Sequence, residues 1–152
     1  MVTPVGAPQL VFEVVRDARL LVSAQRKSYP SDQEWDRWLS AARELEEEAG
    51  QMRILVVTEG GHPTKAQLDR LLAANKSNPP TAIVSPSLAL RCFGSALGFI
   101  NPAIRCFAPT KLEKALEHLG LAPSEQSLAF ASVRRVERLL ATGVSPASRP
   151  EA

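Results

Sequence analysis

Whatever chemistry this chain could perform rests on two histidines, two cysteines and one glycine-rich turn. His62 lies in the turn Gly60-Gly61-His62-Pro63-Thr64, next to Glu59. A histidine acts as a catalytic acid or base only when a nucleophile or an orienting carboxylate is aimed at it. Glu59 and Thr64 are near in sequence, but no motif joins them to His62 in that way. His118 falls at the end of a helical pattern, where a cation complements the helix dipole, so a structural role is expected. No catalytic residue is assigned, and the chain is expected not to be an enzyme. The turn matches neither a Walker A sequence nor the dinucleotide fingerprint, so no cofactor is expected. Cys92 and Cys106 give no disulfide framework and no metal cluster; each reads as a small buried hydrophobe.

The turn remains the most informative site. It follows a buried strand, where open α/β sheets place ligands, and it opens a helix whose first N–H groups suit an anion. Thr64 has two readings. With Gln67 it forms a capping box; alternatively it is a phosphoacceptor or switch, since a phosphate there would sit against the helix dipole. The residues expected to meet a ligand or partner are Glu59, Gly60, Gly61, His62 and Lys65, joined by Ser85 and Ser87 at the next helix start.

These residues need elements to position them. Residues 10–16 and 20–25 are short aliphatic runs separated by Asp17-Ala18-Arg19, a break that suits a hairpin. Ser31-Asp32-Gln33-Glu34 is a capping box, and Trp35, Trp38, Leu39, Ala42, Leu45 and Ala49 recur behind it at helical spacing until Gly50. Residues 52–57 are apolar apart from Arg53, without alternation, and are expected to be a central strand covered on both faces. A helix from Thr64 is expected to turn Leu68, Leu71 and Leu72 inward. Residues 82–84 give a short strand, and Ser85-Pro86 a helix start with Leu88, Ala89, Cys92, Phe93, Ala96 and Leu97 as its stripe. Residues 104–107 give a last strand, Thr110-Lys111-Leu112-Glu113 a third capping box, and 127–142 a final helix. That helix has an apolar face of Leu128, Val133, Val136, Leu139 and Leu140, expected to pack back on the domain. Trp35 and Trp38 share a helix face, with core packing as the expected role.

Strands separated by single helices pair in parallel through right-handed crossovers. The expected fold is α/β: a mixed five-stranded sheet, two antiparallel strands first and parallel strands after them, with four to five helices. Residues 1–9 read as a loose lead-in, 10–121 as the domain, 122–143 as a helical extension and 144–152 as a disordered tail.

With 152 residues, the chain has room for one domain. An apolar share of 45% supports a core, and the net charge of +2 is too small to point to nucleic acid. The stretch 31–50 is acidic, which usually means a solvated helix face. No apolar run reaches the ~20 residues of a membrane span, and nothing resembles a signal sequence. A cytoplasmic protein without stable membrane insertion is expected.

The order β-β-α-β-α-β-α-β-α resembles the STAS domain, the fold of bacterial anti-sigma-factor antagonists. The nearest local match is Ala82-Ile83-Val84-Ser85-Pro86-Ser87-Leu88-Ala89-Leu90-Arg91, followed later by Ile104-Arg105-Cys106-Phe107 and Glu113-Lys114-Ala115-Leu116-Glu117-His118-Leu119-Gly120. Where that family carries Asp-Ser-Ser-Gly or Asp-Thr-Ser-Gly, this chain has Glu59-Gly60-Gly61-His62-Pro63-Thr64, and only Thr64 offers a hydroxyl at the helix start. The resemblance implies a non-catalytic module for protein–protein interaction and signalling. Its partner would be a kinase-like or other regulator, or a second copy in a homodimer. The turn Phe99-Ile100-Asn101-Pro102 also resembles Sec14-related STAS-like proteins, which implies the alternative of small-ligand or lipid binding around Phe93, Phe99 and Ile100.

Overall fold

The computed structural model describes residues 8–74, 77–91, 98 and 101–143. The opening hairpin forms as its residues dictate. Strand β1 (Leu10–Val15) passes through a 3-10 turn at Arg16–Ala18 into β2 (Leu20–Gln25), and the two pair antiparallel from Leu10 opposite Gln25 to Val15 opposite Leu20. Arg19 closes the turn in the left-handed region at φ 50°, its N–H bonded to the Arg16 carbonyl at 3.0 Å.

Helix α1 (Asp32–Ala49) starts at the Ser31–Glu34 capping box and stops at Gly50. Strand β3 (Arg53–Thr58), helix α2 (Lys65–Ala74), strand β4 (Thr81–Val84) and strand β5 (Ile104–Phe107) follow; residues 88–91 are helical. Helices α3 (Leu112–His118) and α4 (Pro123–Thr142) complete the order. The sheet runs β1-β2-β3-β4-β5, with β1 antiparallel to β2 and every later pair parallel. This is the mixed five-stranded α/β sheet that the sequence predicts.

The strand order equals the chain order, so successive crossovers advance in one direction and lay α1 and α2 on the same face. Trp35, Trp38, Ala42 and Leu45 of α1 pack there against Leu10, Leu21 and Ile54. The indoles stack with ring centroids 4.9 Å apart. Two buried indoles remove roughly 400 Å² from water, worth about 10 kcal/mol before chain entropy is counted, so this pair anchors α1 despite its acidic outer surface. Helices α3 and α4 cover the opposite face. There Ala115, Leu116, Ala129, Val133, Val136 and Leu140 meet Leu20, Val22, Ala24, Leu55 and Ala82. The last helix therefore packs back on the domain, over β1 and β2.

Several local expectations are corrected. Strand β3 lies centrally, but Val56 and Val57 are only half-buried; β2 is the strand buried throughout, because α1 and α4 cover it from both sides. Thr110 caps nothing. Pro109, with φ already set for a helical start, begins a 3-10 turn at Pro109–Lys111, and α3 opens behind it without a side-chain cap. Helix α4 begins at Pro123, four residues before the expected 127, for a related reason: Pro123 takes the first helical position and the Glu125 carboxylate accepts the Ala122 N–H at 2.9 Å. That bond, and after it Arg53 at 3.3 Å, holds the Glu125 carboxyl below its usual range. Leu72, Leu88 and Leu128 were expected inside and are exposed. The stripe positions Cys92, Phe93, Ala96 and Leu97, the residues Phe99 and Ile100, and the segments 1–7 and 144–152 lie outside the described residues.

Candidate functional site: the loops at the carboxyl ends of the parallel strands

Parallel pairing brings the ends of β2, β3 and β4 to one edge of the sheet, with Gln25 directly beside Thr58. The loop after β3 is built against the loop after β2. Glu59 N–H donates to the Gln25 carbonyl and Gly61 N–H to the Arg26 carbonyl, both at 2.9 Å. Thr58 donates its hydroxyl to the Gly61 carbonyl at 2.7 Å and accepts the Gly60 N–H at 3.1 Å. A Cβ on residue 61 would stand 2.2 Å from the Arg26 carbonyl oxygen and 2.5 Å from that of Ser28, so only glycine fits. Gly60, at φ 140°, occupies backbone space that a side chain rarely tolerates.

Gln67 is the second fixing point, and it forms with Thr64 the capping box that the sequence predicts. It is buried, and its Nε2 donates to the Pro30 carbonyl at 2.9 Å and to Asp32 Oδ1 at 3.1 Å. Its Oε1 accepts the Thr64 N–H at 3.0 Å, while its own N–H donates to Thr64 Oγ1 at 3.1 Å. Trp35 Nε1 donates to the Gln67 carbonyl at 2.9 Å. Its burial follows from these bonds, since a buried amide without partners would cost about 1–3 kcal/mol. Spacing marks the capping box; nothing in the sequence marks the reach to Pro30.

The N–H groups of Glu59, Gly60, Gly61 and Thr64 are all consumed inside the fold. The hydroxyls are consumed too. Thr64 is half-buried and caps α2. Ser85 is buried and accepts the Ser87 N–H at 3.1 Å, and Ser87 accepts the Leu90 N–H at 3.2 Å. The cap of the helical residues 88–91 is thus Ser87, two residues beyond the expected Ser85.

What the cluster presents outward is different. Glu59, His62 and Lys65 are exposed. The His62 ring stands edge-on to exposed Tyr29 at 5.4 Å, and its Nδ1 donates to the Pro63 carbonyl at 2.9 Å. A Cβ on Gly60 would lie 3.7 Å from that of Ser87, so the two predicted loop segments adjoin. Gly60, His62, Ser87, Ala89 and Leu90 border one small depression, and Leu88 beside it is 68% exposed.

Behind the loops, on the α1–α2 face, lies a cavity of about 180 Å³. Its walls include Trp35, Trp38, Ile54, Val56, Leu71 and Ile83. At the loop end Ser23 accepts the Trp38 Nε1–H at 2.7 Å; at the far end Asn78 and Asn101 exchange two amide bonds of 2.9 and 2.8 Å. Cys106 follows Ile104, a lining residue, two positions along the same strand; burial pushes its thiol up. His118 is far from this edge, its Nε2 donating to the Ala103 carbonyl at 2.9 Å. On the opposite face the strand ends border a second depression of about 440 Å³, lined in part by Arg26, Glu59 and Glu137.

Compared with protein-family models, with curated proteins and with solved structures, the chain matches none. Among the described residues no helix is long and apolar enough to cross a membrane, and no group of three or more His, Cys, Asp or Glu residues is placed to hold a metal ion.

Proposed function

We infer that the chain is a non-catalytic module of STAS type, acting in the cytoplasm, that displays the loops at its sheet edge to a protein partner. One observation carries this reading: the hydroxyls of Thr64 and Ser87 cap helices and that of Ser85 accepts the Ser87 N–H, while the neighbouring loops hold Tyr29, His62 and Leu88 out in solvent. Exposed aromatic and aliphatic side chains on a rigid base are the usual anchors of an interface. Regulation at Thr64 is part of the proposal. The Thr64 hydroxyl accepts the Gln67 N–H at the start of α2, so a phosphoryl group on it would add negative charge against the helix dipole and change the charge that the loop displays.

The test is affinity capture from the source cells with quantitative mass spectrometry, comparing the wild type with a Tyr29→Ser/Leu88→Ser double variant. Both sites are exposed, so the melting temperature should hold. A specific regulator recovered by the wild type should fall at least tenfold in the double variant, and Thr64→Glu should also reduce it. Equal recovery by both proteins, or no specific partner, overturns the reading. If the partner is a second copy, sedimentation equilibrium shows a dimer that the double variant loses.

A further inference from the structure

We propose that the cavity behind the loops is a binding site for one small uncharged aromatic molecule of one or two rings. The ligand class follows from the lining. Among the described lining residues there is no Asp, Glu, Lys or Arg, and the one ionisable side chain, His62, stands at the loop end, so an ionised ligand in the interior of the space would lie without a counter-charge. Several of the polar groups that border the space are already occupied. Ser23 is taken by Trp38, Thr58 by the glycine turn, and Asn78 and Asn101 by each other. Gln25 donates to the Ser28 carbonyl and Thr81 to the Pro79 carbonyl, and beyond these and His62 the surface is largely aliphatic and aromatic, including the stacked Trp35–Trp38 pair.

The two faces of the sheet show that the space is real. Val56 and Ile83 are register partners on β3 and β4, and both are half-buried where they face the cavity. Their sequence neighbours Leu55 and Ala82, facing the other way, have 0% exposure. At about 180 Å³ the volume is close to that of the ~150 Å³ apolar cavities that accept benzene, and exposed His62 and Leu72 on its border leave a way in from solvent. The proposal shares His62 with the protein-partner reading, but the variants below leave Tyr29, His62 and Leu88 untouched, so either reading can fail without the other.

The test uses the full chain with indole as the uncharged probe and benzoate as a charged probe of similar size. Indole at ~1 mM is expected to raise the melting temperature by about 3 °C, and benzoate to leave it unchanged. Val56→Phe fills the space from β3 and Ile83→Phe from β4. Each is expected to weaken the indole response at least tenfold without lowering the melting temperature of the free protein. Four results overturn the proposal: no shift with indole, an equal shift with benzoate, a shift that survives both substitutions, or a fall in melting temperature in both variants. The last would mean that the ring meets packed atoms rather than empty volume.

Discussion

Individual residues in this protein are constrained in ways their types do not announce. Gly61 is needed for lack of space, not for backbone freedom, since the Arg26 and Ser28 carbonyls crowd the place of its Cβ. Backbone oxygens held in a loop network cannot yield as a flexible side chain could. Gly61→Ala is therefore expected to destabilise the protein by more than ~3 kcal/mol in urea unfolding, well beyond the ~1 kcal/mol typical of point substitutions. A loss under 1 kcal/mol would show that the 26–30 loop moves freely. Ser132 gives the opposite sign. It is fully buried against the sheet, and among the described residues its hydroxyl has no hydrogen-bond partner. Removing an unsatisfied buried hydroxyl while keeping the helix should help, so Ser132→Ala is expected to raise stability by about 1 kcal/mol. A decrease measured by the same unfolding curve would place an unseen acceptor beside it.

Elements are held by side chains that serve two at once. Glu34 completes the capping box of α1 through Oε1, which accepts the Ser31 N–H at 2.8 Å. Its Oε2 accepts the N–H groups of Gln9 and Leu10 at 2.9 and 3.1 Å, tying the helix start to the first strand. Ser31 does only the first job, its hydroxyl accepting the Glu34 N–H at 3.1 Å. Ser31→Ala should cost about 1 kcal/mol, the usual worth of a cap, and Glu34→Ala about twice that. Equal losses in thermal or urea unfolding would mean that the contact with β1 contributes nothing. Arg135 and Glu13 form a similar bridge between α4 and β1, and the carboxylate raises the guanidinium further above its ordinary range. Both pairs join elements distant in the chain, which is why local pattern reading passes over them.

For the whole molecule, the decisive feature is a sheet covered unequally. On one face α3 and α4 bury Leu20, Val22, Leu55 and Ala82 almost completely; on the other, α1 and α2 leave Val56 and Ile83 beside a cavity. Helix α4 supplies Ala129, Val133, Val136 and Leu140 to the larger core. A chain cut after Leu121 would turn the β2 residues of that core toward water, and it is expected to show no cooperative thermal transition by circular dichroism. A sharp transition in the shortened chain would show that β1 to α3 hold together alone.

The amino-acid sequence by itself determined the class of fold, because periodicity, turn residues and the capping boxes at Ser31 and Thr64 are local signals that agree with one another. It also singled out the turn at 59–64 and the segment at 85–87, since strand ends and helix starts can be read from neighbours a few positions apart. Only the tertiary structure decided what those segments do. The glycine turn spends the Glu59 and Gly61 N–H groups on Gln25 and Arg26, residues that no spacing rule connects to it. It also decided which leucines face inward and that a cavity lies under α2. Helix rotation and inter-element gaps depend on side chains packing across the sheet, and those distances are set by partners far away along the chain.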